Sequence, residues 1–206
     1  MMKTALLLID IQNDYFEGGT MTLVNADHAS ENAKSLLENF RNKNLPIIHI
    51  QHIATRPSAT FFLPDTVGAE IHKNVQPESN EKVIVKHFPN SFRETELLSY
   101  LNANGISDLV IAGMMTHMCI DATTRAAKEL GYICTLIGDA CATRNLEIHG
   151  EKVQAADVHN AFLAALNSTY ASVINTHDYL AQIKFKSNLY GKDQILFSTA
   201  DVATSD

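Results

Sequence analysis

Ala5-Leu6-Leu7-Leu8-Ile9-Asp10, near the start of the chain, is apolar on successive residues and then stops on an acid. A strand with one wet face alternates apolar and polar side chains. A run apolar on both parities belongs to a sheet covered by helices on both sides. Comparable short runs recur at Pro46 to Gln51, Lys82 to Lys86, Leu109 to Gly113, Tyr132 to Gly138 and Ala171 to Thr176. Helical periodicity fills the intervals, over about His28 to Asn42, Glu94 to Asn104, Cys119 to Leu130 and Lys152 to Leu166. Gly105 and Gly131 follow two of these helices, where a left-handed C-cap residue is expected. The alternation is that of parallel βαβ winding. It predicts an α/β fold: a doubly wound, mostly parallel six-stranded sheet with helices on both faces.

At 206 residues the chain suits one full domain. The reading places that domain at 1–183 and leaves 184–206 as a C-terminal tail: an extra strand, an arm onto another subunit, or a disordered segment. The longest stretch without periodicity, about Ile53 to Glu81, carries Pro57, Pro64, Pro77 and the pair Phe61-Phe62. Loops of that length are usually functional. A formal charge of -7 disfavours nucleic acid as a partner, since binding phosphates needs a basic surface. No stretch reaches the apolar length of a membrane span. The run ending at Asp10 is also too short for a signal peptide, and no small-residue cleavage site follows. The three cysteines, Cys119, Cys134 and Cys141, form no CxxC pair and no disulfide framework, so a reducing cytoplasm is expected.

In a sheet wound this way ligands bind beyond the carboxyl ends of the strands. Asp10 and Lys86 each close an apolar run, and Gly113-Met114-Met115-Thr116-His117-Met118-Cys119 leads from a strand into an alanine-rich helix. Cys119 then falls in the helix's first turn, where the free N–H groups and the macrodipole favour a thiolate. Position alone leaves Asp10 open as a turn cap, Lys86 as a snorkelling edge lysine and Cys119 as a structural thiol. Acid, cation and thiol gathered at strand ends make a stronger set than any one of them. Cys134 suits the structural reading, and so does Cys141.

Taken in order, Leu8 to Asp14, Lys86 with Asn90-Ser91-Phe92 and Thr95, Gly113 to Cys119, Thr124 to Ala127, Leu130 to Tyr132 and Gly138 to Ala140 resemble the isochorismatase-like hydrolase superfamily. That group includes nicotinamidases, carbamoyl-amide hydrolases and other cysteine amidases. The string Met114 to Cys119 is similar to a branch containing streptothricin hydrolases, which open a lactam. The resemblance implies a catalytic triad of Asp10, Lys86 and Cys119. It also implies a cis Met114–Met115 peptide, with the N–H groups of Met115 and Cys119 forming an oxyanion hole. It implies a hydrolase that cleaves a small carboxamide, lactam or carbamoyl C–N bond through a thioester, needs no cofactor and works as a homo-oligomer on a small-molecule substrate. Gln12, Phe16, Phe61, Phe62, Phe92, Met114 and His117 are expected to line the pocket.

Nicotinamidases of the group hold a divalent metal through an Asp and two His around the second strand. The corresponding Ile50-Gln51-His52-Ile53-Ala54 has no Asp-x-His pair, and His52 and His72 remain as candidates without a partner acid, so no metal site is expected. Three alternatives stay open: a metal-assisted nicotinamidase, a family member that binds a ligand without catalysis, and a redox protein using Cys119 and Cys141.

Overall fold

Thr4 to Ile9 are all buried in the first strand, β1 (Lys3–Ile9), and their side chains supply both faces of the sheet. Leu6 and Leu8 join one apolar core, while Ala5, Leu7 and Ile9 join the other. The computed structural model describes residues 3–190. The further strands are β2 (Ile47–His52), β3 (Lys82–Lys86), β4 (Ile106–Met114), β5 (Ile133–Ala142), β6 (Leu146–Ile148), β7 (Glu151–Val153) and β8 (Ser172–Ile174). Six of them form one sheet in the order β3-β2-β1-β4-β5-β8, with every neighbouring pair parallel. β6 and β7 make a separate antiparallel hairpin.

The helices are α1 (Ala26–Asn42), α2 (Leu97–Ala103), α3 (Asp121–Glu129), α4 (Ala155–Asn167) and α5 (Thr176–Tyr190). Leu36, Leu37 and Phe40 of α1 and Tyr179 and Ile183 of α5 pack with Leu6 and Leu8. Leu97 and Leu101 of α2, Ala127 of α3 and Leu166 of α4 cover the opposite face. The doubly wound sheet expected from the sequence is therefore the fold. Among the described residues no helix is long and apolar enough to cross a membrane.

Local departures have local causes. α2 starts at Leu97 rather than near Glu94, because Glu94 sits at φ +55 and Thr95 donates its hydroxyl to the Ser91 carbonyl at 2.6 Å. Lys152 lies in the hairpin, not in α4. Cys119 lies in a π-helical turn, Thr116–Ile120, that precedes α3. α5 runs on past position 183, and the alternation around Ile195 and Phe197 lies outside the described residues.

β4 and β1 approach closely where they end. Gly113 pairs with Ile9 at φ +136, and a Cβ there would stand 2.0 Å from the Ile9 carbonyl oxygen. Only glycine fits, and the site forms just beyond this contact.

Candidate active site

Asp10 leaves β1 in the left-handed region, at φ +51, while its N–H donates to Ile50 O at 3.0 Å. Asp tolerates that conformation better than a β-branched residue. The turn carries the carboxyl group out of the sheet beside the end of β4, where the strand order reverses and an open α/β sheet forms its crevice. Lys86 is the last residue of β3. Its Nζ lies 2.6 Å from Asp10 Oδ2 and 3.2 Å from Cys119 Sγ. It also lies 3.0 Å from His52 Nδ1 and 3.1 Å from the Phe88 carbonyl oxygen. Asp10 and Lys86 are fully buried, and Cys119 is 5% exposed.

Burial governs the protonation states. It raises the Asp10 carboxyl above the ordinary carboxylate value, against the opposing pull of the Lys86 charge and of hydrogen bonds from Cys119 and Lys86. For Lys86, burial alone would favour the neutral amine, but Asp10 and Cys119 together carry its pKa above the usual lysine value. Cys119 is pushed up, first by burial and then by Asp10, with Lys86 opposing. The helix-start environment expected to favour a thiolate is thus outweighed by desolvation. These shifts favour a charged ammonium and a protonated thiol, so forming the thiolate requires a proton acceptor in contact. Asp10 is that neighbour.

The Met114–Met115 peptide is cis, and Met115 is buried. The Met115 carbonyl accepts the N–H groups of Met118 at 3.0 Å and Ile120 at 3.3 Å, closing the turn that presents Cys119. Cys134 and Cys141 are buried in β5, and burial pushes each to about 12. All three cysteines are free thiols.

The residues expected to line a pocket fall in several places. Gln12 is fully buried and clamps the backbone of His52: its Oε1 accepts from His52 N at 2.8 Å and its Nε2 donates to His52 O at 2.9 Å and Ala69 O at 2.7 Å. Phe62 is buried, with its ring 5.8 Å from that of His52, and Phe61 packs on Phe62 and Tyr15. Asp14 holds this loop by accepting Phe62 N at 2.6 Å, and Gly68 leaves room for the Asp14 carboxylate, which a Cβ would meet at 2.2 Å. Met114 is entirely core. His117 bonds Thr143 Oγ1 at 2.5 Å, and Phe92 packs against Tyr132. Phe16 stacks on His72 and lines an open cavity of about 710 Å³ whose walls include none of Asp10, Lys86 and Cys119.

Of two further neighbours of the cluster, Tyr15 escaped sequence reasoning and His52 was met there only as a candidate metal ligand. Tyr15 is buried and feels the charges of Cys119 and Asp10, although burial is the main cause of its raised pKa. His52 touches Lys86 directly. The local sequence announces neither contact, because both arise from the folded loop and strand register.

The donor atoms of Asp10, His52 and Cys119 lie within 4.8 Å of one another, the spacing of a metal-ligand set. They do not fit a metal: the Lys86 ammonium contacts all three, at distances suited to N–H donors rather than to zinc bonds of about 2.0–2.3 Å. His72, the other candidate ligand, turns Nδ1 to the backbone of Asn74.

A doubly wound α/β sheet with an Asp, a Lys and a Cys in contact at its switch point defines a class of hydrolase-like proteins. Residues 4–178 match the isochorismatase domain, and the chain belongs to the isochorismatase family of hydrolases. It is 53% identical over 179 residues to YddQ, an uncharacterized isochorismatase family protein of Bacillus subtilis strain 168, spanning 87% of this chain and 99% of that one. A crystal structure from Oleispira antarctica, assigned to the isochorismatase hydrolases, superposes with a TM-score of 0.84 at 49% identity, covering 87% of this chain and 96% of the other. Streptothricin hydrolase of Streptomyces noursei is 32% identical over 167 residues, which cover 81% of this chain but 57% of that enzyme.

Proposed function

We propose that the protein is a cysteine hydrolase that cleaves a small carboxamide, lactam or carbamoyl C–N bond through a thioester. The observation that carries this reading is the Lys86 ammonium in contact with both Asp10 at 2.6 Å and Cys119 at 3.2 Å. Asp10 takes the thiol proton, and the resulting thiolate forms beside a cation rather than alone in a buried crevice. The sulfur adds to the carbonyl carbon, and the N–H groups of Met115 and Cys119 receive the oxyanion. As the C–N bond breaks, Asp10 returns its proton to the departing nitrogen, releasing ammonia or an amine. Water, deprotonated by Asp10, then adds to the thioester. The C–S bond breaks, the acid leaves, and the thiolate recovers its proton from Asp10.

The test is a panel of small amides, lactams and carbamoyl compounds, with nicotinamide and streptothricin among them, assayed for ammonia or amine release. The wild-type protein turns over at least one class, and Cys119→Ala, folded as judged by circular dichroism, turns over none. Equal release by the Cys119→Ala variant overturns the nucleophile, and no release from the whole panel overturns the reaction class.

A further inference from the structure

The cluster draws on four adjacent strands of the sheet. Lys86 ends β3, His52 ends β2, Asp10 follows β1, and Cys119 follows β4. Adjacent strands lie about 4.8 Å apart, so the Lys86 side chain has to lean across β2 to reach Asp10. His52 is the residue it crosses, since the two are register partners. The ammonium has three protons, while four acceptors stand around it: Asp10, His52, the Phe88 carbonyl and the Cys119 sulfur. Which acceptors are engaged sets where the remaining N–H groups point.

We infer that His52 is a positioning residue for Lys86: a neutral imidazole, protonated on Nε2, whose Nδ1 accepts one ammonium N–H and so leaves the others aimed at Asp10 and Cys119. This rests on the proposed triad only in taking Cys119 as the nucleophile. The surroundings of His52 are built to hold it. Gln12 grips its backbone N–H and carbonyl, and the Phe62 ring packs beside the imidazole. Phe62 is in turn fixed by Asp14 and by Ala54 N, which donates to Phe62 O at 2.8 Å. The charged groups that act on His52 are Lys86, His87 and Arg56, and with burial, the largest cause, they hold its pKa at about 3. The ring therefore stays an acceptor at neutral pH.

Removing that acceptor lets its N–H turn to the Phe88 carbonyl and draws the ammonium away from the line to Asp10 and Cys119. Lys86 is then aimed less firmly. The thiolate loses part of its counter-charge, and Cys119 reacts only at higher pH. The titratable groups acting on Cys119 are Asp10 and Lys86, and Tyr15 interacts electrostatically with both Cys119 and Asp10.

The test is the pH dependence of Cys119 carboxamidomethylation by iodoacetamide, followed by peptide mass spectrometry, with Cys134 and Cys141 as internal controls. His52→Leu is expected to move the Cys119 profile up by about one pH unit, a tenfold slower reaction at fixed pH. His52→Asn, whose Oδ1 stands about where Nδ1 stood, is expected to restore the wild-type profile. If His52→Leu does not fold, His52→Phe removes the acceptor while keeping a ring against Phe62. A His52→Leu or His52→Phe profile that coincides with wild type overturns the inference. So does a His52→Asn profile shifted as far as the apolar variant, because the ring's bulk would then be what matters. Alkylation reads the thiol rather than turnover. A protein that hydrolyses no amide would sink the proposed reaction and leave this comparison intact.

Discussion

Asp10 shows how one residue is fixed by opposing demands. The five residues before it are all apolar, its own backbone is left-handed, and its carboxyl is buried against a cation. Asparagine would satisfy the turn and nearly the same shape but could not accept the thiol proton. Asp10→Asn is therefore expected to lower turnover by about 10²–10⁴-fold, the usual worth of a general base, with thermal stability measured alongside. Turnover close to wild type in the folded variant would reduce Asp10 to a turn residue. The proposed mechanism needs Asp10 ionised, and its folded pKa lies above the ordinary carboxylate value of 3.8. The acid limb of the pH–rate profile should accordingly fall above that value and vanish with the rate in Asp10→Asn. Lys86→Met keeps the stem and removes the charge, and it should shift Cys119 alkylation to higher pH. The residue types at these three positions were legible because each ends or follows a recognisable run. The protonation state of the thiol was not, because helix-start sequence reports the dipole and says nothing of the burial that outweighs it.

At the scale of elements, an ion-paired lock joins α1 to the sheet's outer strands. Glu81, one residue before β3, accepts Arg41 Nε at 2.7 Å and Arg41 Nη2 at 2.9 Å, and lies 2.9 Å from His49 Nε2 in β2. Burial would raise the Glu81 carboxyl, but Arg41, the Glu78 N–H and His49 bring it from 4.5 down to about 2. A depressed carboxylate pKa stabilises the fold fully above its unfolded value, and that contribution is lost as pH falls through the folded one. Glu81→Gln should thus cost about 1.5–3 kcal/mol at neutral pH, the worth of hydrogen bonds to a charged group. The gap from wild type in urea unfolding should close between pH 4.5 and about 2. A gap that stays constant over that range would show that shape, not charge, makes the lock. Elements were legible where packing periodicity was long, as in α1, and misplaced where a local bond intervened. The hydroxyl of Thr95 delays α2, and the β6–β7 hairpin replaces the first turn expected of α4.

The whole molecule supplies what no single element can, a crevice at which four strands end. The order β3-β2-β1-β4-β5-β8 reverses direction between β1 and β4, and Gly113 lets those two strands close beneath the cluster. Successive apolar residues made the doubly covered sheet legible, and runs ending on Asp10 and Lys86 made the crevice legible. The way Gln12 and Phe62 hold His52 was not, because the three meet only through contacts 40 and 10 positions apart in the chain. The same assembly bears on metal dependence. Three groups of metal-ligand type, Asp10, His52 and Cys119, face one point, and the Lys86 ammonium stands among them. A divalent cation there would have to expel a buried, hydrogen-bonded cation, or share the crevice with it at a few ångströms of separation, where like charges repel strongly. Exhaustive chelation with EDTA is therefore expected to leave both the amide turnover and the melting temperature of the wild-type protein unchanged. Loss of turnover on chelation, restored by zinc or manganese, would mean that a metal enters through ligands other than these three. Loss that no metal restores would point instead to the chelator itself, which a second chelator of different charge distinguishes.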